Sequence, residues 1–396
     1  MIRVAFWFDA PVAYSGGLNY IANLLHALSI VNRGEVQPYV FFATDVPEDV
    51  IRRFERYATV VRTSILQRKT LPWLIHKLTY KFLRSMFWVN TLLKKHRIDV
   101  LSHLWTPYLG RRSVRVISWI PDFQYLHLPE MFPGIDADKE TRINRQIATY
   151  ADAVVVSSEH ALGDLLGLIS RLALPHVEVL RFVSQPFLAP DRALPNLEEL
   201  QVKYDFRGKF FLLPNQFWAH KNHEVVVRAL ALAKSAGQSI TVLMTGNAKD
   251  YRLKGTPYID ELKSKIKKLG VEKEVRIIGL INYNDLLALM RHCVGFINPS
   301  RFEGWSSSVE ESKSVGKPIL LSRIPVHIEQ APILGKYFEC DDAEALNKLM
   351  IELWAQHEYL DYSVKAQEAT DDLQYRTEKF GMQYLNLIKR VVNGVV

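Results

Sequence analysis

Short unbroken apolar runs recur along this chain. Longer stretches separate them, in which apolar residues return every three or four positions. The runs at Arg3–Phe8, Gln37–Ala43, Val114–Ile120, Ala153–Ser157, Phe210–Leu213, Ile240–Thr245, Val275–Ile278, Gly295–Asn298 and Pro318–Leu321 predict strands. Most do not alternate apolar with polar. Both faces of each strand are therefore expected to be covered, as in a parallel sheet packed between helices. The stretches Leu18–Val31, Asn222–Ser235, Ile259–Leu269, Asn284–His292 and Ala343–Trp354 predict helices. Strand and helix in repeated alternation predict an α/β fold of doubly wound sheets.

The strands form two groups. Between them lies Ser184–Gly208, with Pro186, Pro190, Pro195 and the acidic pair Glu198–Glu199, which reads as a linker. The chain has 396 residues, and at roughly 150 residues per domain two large domains are expected. They are placed at residues 1–190 and 205–370, with a C-terminal helix at 371–396 crossing back to the first domain. No short repeat or low-complexity tract interrupts this division.

Composition narrows the class. With 48% hydrophobic and 23% charged residues, the chain is neither disordered nor fibrous. Two cysteines, Cys293 and Cys340, exclude a disulfide scaffold, point to a reducing compartment and are too few for a zinc or iron–sulfur centre. Five apolar residues between Arg3 and Asp9 are too few for the apolar core of a signal peptide, and no run approaches the roughly 18 residues of a membrane span. The expectation is a cytoplasmic protein.

Charge adds a location. Lys and Arg number 50 against 42 Asp and Glu, a net charge of +8. Ten of those cations and no acid lie between Arg56 and Ile98. Within this stretch Leu71–Val89 is expected to be one amphipathic helix. Lys77, Lys81 and Arg84 fall at i, i+4 and i+7 on a single face, with Trp73, Phe82, Phe87 and Trp88 as bulky interfacial groups. That pattern predicts peripheral contact with an anionic membrane, at the inner face of the cytoplasmic membrane. No nucleic-acid motif accompanies the charge, so nucleic acid is not an expected partner.

Three segments carry candidate chemistry. In Asp9–Leu25 a strand is followed by a loop bearing Gly16 and Gly17 and then a helix start, which lets backbone approach a phosphate or polar acceptor. In Phe296–Val315 an apolar strand ends at Asn298–Pro299 and a polar loop holds Glu303 and Gly304. A helix then begins near Ser306–Ser308, whose hydroxyls are placed to cap it. Glu311, eight residues after Glu303, would face the same crevice at the sheet's carboxyl edge. Phosphate donors beside hydroxyl acceptors read as a nucleotide-sugar site. In Leu213–His223, Lys221 sits where a strand hands over to a helix, within reach of a diphosphate.

Together these pieces resemble the retaining glycosyltransferases of family 4, with the GT-B architecture of two facing Rossmann-like domains. The signature reads Glu303-Gly304-Trp305-Ser306-Ser307-Ser308-Val309-Glu310-Glu311, followed by GKPILLS. KNHEVVVRALALAK, LMTGNA, VRIIGLINYNDLLALMRHC, IPDFQYLHLPEMF and ADAVVVSSEHALGDL resemble further family segments, most strongly over residues 210–325. The resemblance implies a nucleotide sugar held by the C-terminal domain and a glycan or lipid-linked acceptor held by the N-terminal one. Glu303 would contact the donor sugar near the reacting carbon, and Glu311 the ribose. Backbone N–H groups of Gly304, Trp305 and Ser306 would face the sugar or phosphate. Lys221 would neutralise the leaving diphosphate, and Gly16 and Gly17 would close on the substrates.

Family members carry an arginine five positions before the lysine; here that position is Gln216, and Arg301 or Lys249 is the candidate replacement. Where they carry a His-Asp pair, this chain has Pro121-Asp122 with His127 and, further back, His103, so Asp122 and His127 are the acceptor-side candidates. Asp136-Ala137-Asp138 follows Pro133-Gly134 rather than an apolar strand and reads as an acidic helix start. No metal or other cofactor is expected. The reading is transfer of a mannose- or rhamnose-like hexose or deoxyhexose to a surface polysaccharide or lipid-linked glycan. The alternatives are a GT-B phosphorylase or synthase acting on soluble sugars, and a catalytically silent sugar-binding protein of the same fold.

Overall fold

The structure is a computed structural model that describes residues 1–9, 15–132, 134–170, 174–185, 193–249, 256–357 and 362–395. Pro133, Pro186 and Pro190 of the sequence reading lie outside them. The chain divides into two compact units. The first comprises Met1–Phe123, Asp136–Val183 and Tyr375–Val396; the second comprises Gln124–Ile135 and Ser184–Gln374. The passage from Val183 to Ser184 falls at the start of the segment read as a linker. Gln124–Ile135, by contrast, belongs to the second unit although it lies within the residues assigned to the first domain.

In chain order the first half runs β1 (Ile2–Trp7), α1 (Ser15–Val31), β2 (Val36–Ala43), α2 (Glu48–Glu55), β3 (Thr59–Thr63), α3 (Leu71–Phe82), α4 (Phe87–Lys95), β4 (Val100–Leu104), β5 (Arg115–Ile120), α5 (Gln124–His127), α6 (Ala137–Thr149), β6 (Ala153–Val156), α7 (Glu159–Leu168) and β7 (His176–Val179). Its seven strands form one sheet in the order β3-β2-β1-β4-β5-β6-β7, every pair parallel. Ala5, Trp7, Phe41, Leu101 and Val116 bury one face beneath Val89 and Leu93 of α4. Strand order reverses between β1 and β4, which marks the sheet's ligand edge.

The second half runs α8 (Leu197–Tyr204), β8 (Phe211–Leu213), α9 (His223–Ser235), β9 (Val242–Thr245), α10 (Pro257–Lys268), β10 (Val275–Gly279), α11 (Tyr283–His292), β11 (Gly295–Asn298), α12 (Ser307–Val315), β12 (Ile319–Ser322), α13 (Pro325–Gln330), β13 (Gly335–Phe338), α14 (Ala343–Gln356) and α15 (Tyr362–Asn393). Six parallel strands pair in the order β10-β9-β8-β11-β12-β13. Successive residues serve opposite layers: Phe211, Leu213, Val242 and Met244 face one core, Leu212, Leu243 and Phe296 the other. This two-sided burial is why the strand sequences are continuously apolar. From Tyr375 onward α15 belongs to the first unit, where Tyr384 Oη donates to Ser102 Oγ at 2.8 Å.

Three local expectations change and one holds. The stretch Leu71–Val89 is two helices, because α3 ends at Phe82 and Arg84 adopts a left-handed φ of 45°. Ser85 N–H turns back to Thr79 O at 3.3 Å, and Met86 N–H donates to Leu109 O at 3.2 Å, so tertiary bonding ends the helix. Arg84 therefore does not continue the helical face of Lys77 and Lys81. Gly16 and Gly17 lie in the first turn of α1 rather than in a loop before it. His103 sits in a bulge of β4 with φ 57° and is bonded between Tyr20 and Ser102, 2.9 and 2.8 Å away. It is fully packed, and burial pushes its imidazole down to about 3, so it is a neutral structural group. Asp136 caps α6 by accepting from Lys139 N–H at 3.0 Å, the helix start expected of that acidic segment.

Candidate functional site

The second unit's polar cluster grows from the carboxyl ends of β8 and β11, the neighbours at which its strand order reverses. β8 leads through Asn215 and Gln216 into a short turn of 3₁₀ helix at Ala219–Lys221, and Asn222 (φ 52°) redirects the chain into α9. β11 leads through Pro299 into the loop of Ser300–Ser306 and then α12. Lys221 and Glu303 thus arrive from two strand ends at one place.

They meet as an ion pair. Lys221 Nζ donates to both carboxylate oxygens of Glu303, at 2.7 and 2.8 Å. Their side chains are 14% and 9% exposed. Ser300 Oγ adds a bond to Glu303 Oε1 at 2.7 Å. Burial alone would raise Glu303, but Lys221 and the hydrogen bonds outweigh it and hold the carboxyl below its usual range. Glu303 is therefore ionised at neutral pH. The lysine ammonium is held beside it in a site that excludes most water.

Asn298 fixes the loop. Fully buried, its amide donates to Ser306 Oγ at 2.7 Å and Ser308 Oγ at 2.9 Å. Its carbonyl accepts from Asn215 Nδ2 at 3.1 Å and Ser300 Oγ at 2.7 Å. The hydroxyl expected to cap α12 is thus used elsewhere, and Ser306 is the N-cap without a side-chain cap bond. Its backbone N–H also turns inward, donating to Gln330 Oε1 at 3.2 Å, rather than facing a ligand. Gln330 completes a clamp through Ser306 O and Glu310 Oε1, both at 3.0 Å.

Of the adjacent glutamates, Glu310 is buried and held by Gln330 and Lys313. Glu311 is half-buried and meets no hydrogen-bond donor among the described residues. Burial pushes its carboxyl up to about 8. Gly304 and Trp305 are half-buried in the loop. Gln216 accepts from Asn247 N–H at 2.6 Å and so ties the β8 loop to the β9 loop. Arg301 points to Asp341 Oδ1 at 2.6 Å, and its N–H donates to His220 O at 2.8 Å. Lys249 is exposed. His127, on α5, stacks on Phe302 with ring centroids 5.0 Å apart, one residue before Glu303. Asp122, Gly16 and Gly17 belong to the first unit, so the predicted site residues divide between the units.

The sequence reading missed His327. Fully buried on α13, it bonds Ser322 O through Nδ1 at 2.8 Å, while Nε2 has no partner among the described residues. Burial pushes it down to about 4 although the Glu303 charge acts the other way. The neutral ring belongs to the same electrostatic cluster as Glu303 and Lys221. Its only sequence signal is a histidine within the apolar run of IPVHIEQ.

Two parallel-sheet units of seven and six strands have the GT-B fold. Residues 198–369 match the family described as glycosyl transferases group 1. Mannosylfructose-phosphate synthase of Agrobacterium fabrum is 20% identical over 62% of this chain and 54% of its own length. The N,N'-diacetylbacillosaminyl-diphospho-undecaprenol α-1,3-N-acetylgalactosaminyltransferase of Campylobacter jejuni is 30% identical over 30% of this chain and 32% of its own length. This chain thus spans about half of one curated relative and about a third of the other. The Anabaena HepE structure in complex with UDP and glucose superposes with a TM-score of 0.68 at 15% identity, covering 98% of this chain and 100% of the other.

Proposed function

We propose that the protein is a retaining glycosyltransferase of family 4. It moves a hexose or deoxyhexose from a nucleotide sugar to a surface polysaccharide or lipid-linked glycan. The observation that carries this reading is the Lys221–Glu303 pair at the strand reversal, with Glu311 on α12 beyond it. Breaking the bond between sugar and diphosphate builds negative charge on the leaving group and positive charge on the sugar ring. Lys221 stabilises the first and Glu303 the second. A diphosphate leaves without full protonation, so no buried general acid is required. Glu311 accepts the ribose hydroxyls. On this reading Lys221 turns from Glu303 to the diphosphate when donor binds, which frees Glu303 for the sugar. His127, Trp305 and Arg301 border the same loop.

The acceptor half of the proposal draws support from the first unit and from one relative. Around α3 and α4, Leu71, Leu74, Leu78, Phe82, Leu83, Phe87 and Trp88 are exposed beside Lys77, Lys81 and Arg84. Apolar side chains among cations fit an anionic membrane. The Campylobacter relative is named for a diphospho-undecaprenol acceptor. The contact proposed is peripheral; no helix among the described residues is long and apolar enough to cross a membrane.

The test is thermal unfolding against UDP, GDP, UDP-glucose, GDP-mannose and dTDP-rhamnose. At least one nucleotide should raise Tm, by an amount set by the ratio of its concentration to Kd. If none does, the donor site is refuted.

A further inference from the structure

The first unit holds a cavity of about 260 Å³ at the carboxyl end of β1, beside the reversal of strand order. Trp7 at the end of β1 and Asp9 just beyond it line the cavity, with Ile65, Leu66, Arg68 and Lys69 from the segment after β3, and Trp73, His76 and Lys77 from α3. Two residues read from sequence as membrane groups, Lys77 and Trp73, therefore line a cavity in the first unit.

Its chemistry is mixed in a specific way. Three cations, Arg68, Lys69 and Lys77, stand against one carboxylate, Asp9. Lys69 holds a left-handed φ of 67°, immediately before the Thr70 cap of α3. Asp9 accepts from Trp105 Nε1 at 2.5 Å and is pulled up by burial, although Lys77 and Arg68 oppose that. His76 is 6% exposed, and its Nδ1 is buried without a hydrogen-bond partner among the described residues. Two tryptophans, Trp7 and Trp73, supply flat apolar walls.

A bare anion would be served by the cations but not by a carboxylate and two indoles. A neutral sugar would be served by the indoles and carboxylate but not by three cations. A sugar carrying a phosphate ester uses all of them. We propose that this cavity binds the phosphorylated sugar end of the acceptor, a glycosyl phosphate or diphosphate. Arg68, Lys69 and Lys77 take the phosphate, Asp9 and His76 take ring hydroxyls, and Trp7 and Trp73 pack on the ring. The proposal rests on the glycosyltransferase reading, since it names the substrate class of that enzyme's acceptor.

The probes are glucose 1-phosphate and glucose, titrated into the full chain while Trp fluorescence is followed. UDP affinity is measured separately on the same samples. Glucose 1-phosphate should bind at least 10-fold tighter than glucose. The exposed-site variant Arg68→Ala/Lys77→Ala should weaken the phosphate ester at least 10-fold, with UDP affinity within 2-fold of wild type. Phosphatidylcholine vesicles carrying a long-chain prenyl phosphate then compete against vesicles carrying phosphatidylglycerol. Displacement by the first alone upholds the pocket with a lipid-borne phosphosugar; displacement by neither upholds it with a soluble sugar phosphate. Equal affinity for glucose and its phosphate, or no loss in the variant while UDP binds normally, overturns the proposal. Loss of UDP binding in wild type instead refutes the donor reading and leaves this readout intact.

Discussion

At the scale of single residues, the Lys221–Glu303 pair ties stability to chemistry. Removing one partner of a buried ion pair strands the other charge, at a cost of about 3–5 kcal/mol. Glu303→Ala is therefore expected to lower Tm as well as activity, which makes it a poor probe of mechanism. Glu303→Gln keeps volume and a hydrogen-bond acceptor for Lys221. It should cut kcat by at least about 100-fold, the scale of losing one electrostatic stabiliser of the transition state. It should also bind UDP at least as tightly as wild type, because Lys221 no longer has a competing anion. Lys221→Ala should weaken UDP by roughly 10- to 100-fold, the value of a charge-assisted hydrogen bond of about 1.5–3 kcal/mol. Calorimetric titration of UDP into both variants separates these outcomes; weaker UDP binding by Glu303→Gln contradicts the exchange of partners. Glu311 adds a pH signature. Its carboxyl is raised to about 8 in the fold, against about 4.3 in an unfolded chain. The fold therefore favours the protonated form, and its penalty for ionisation is absent below about 4.3 and complete above about 8. Glu311→Gln should raise Tm relative to wild type by a margin that grows from pH 5 to pH 8. On the proposed reading ribose hydroxyls meet and stabilise this carboxylate, so nucleotide binding near pH 7 should release a proton from wild type that Glu311→Gln does not release. Titrations in buffers of different ionisation enthalpy measure that difference.

At the scale of elements, the loops after β8, β9 and β11 work as one assembly. A Cβ on Gly246 would lie 2.3 Å from Asn215 O and 2.9 Å from Gln216 Cα, both backbone atoms that cannot step aside. Gly246→Ala should cost about 1–3 kcal/mol in chemical denaturation, as overpacking does, and should weaken UDP because the Gln216–Asn247 bond joins the same loops. Unchanged UDP affinity would mean that the two loops do not act together. The interior elements were legible in sequence for a physical reason. β1, β2, β5, β6, β8, β9, β11 and β12 are buried, and burial on both faces writes itself as an apolar run. Three strands left unread, β3, β7 and β13, close the sheet edges, where polar residues such as Arg62, Glu178 and Lys336 are tolerated. The fourth, β4, carries Ser102 and His103 in its centre, bonded to Tyr384 and Tyr20 from distant parts of the chain. The break between α3 and α4 had no glycine or proline to announce it; Arg84 takes the left-handed turn and Met86, which opens α4, is anchored to Leu109 O. In the site, the placing of Lys221 and Glu303 at strand ends, where they meet, was readable from their spacing after strands. Asn298 and Gln330 were not, because they bond partners up to 83 residues away in sequence, and His327 was hidden inside an apolar run.

At the scale of the whole molecule, the excess charge and the exposed apolar surface coincide. All ten cations of the acid-free stretch lie in the first unit, and so does the exposed rim of α3 and α4. A net charge of +8 spread evenly would give weak attraction to any anion; confined to one unit it gives that unit a direction toward an anionic surface. The two components predict different salt responses. Charge attraction is screened as the Debye length falls from about 10 Å at 0.1 M salt to about 3 Å at 1 M, whereas apolar insertion is not screened. Full-length protein should therefore co-sediment with phosphatidylglycerol vesicles, poorly with phosphatidylcholine vesicles, and release most but not all protein as salt rises. Phe82→Ser/Leu83→Ser should remove the fraction that persists at high salt. Lys81→Ala/Arg84→Ala should remove the salt-sensitive fraction. All four side chains are exposed, so neither variant disturbs the core. Glucose 1-phosphate binding should survive both, since none of the four lines the cavity at Asp9. Equal binding to neutral and anionic vesicles would remove charge from the proposed account of how this protein meets a membrane.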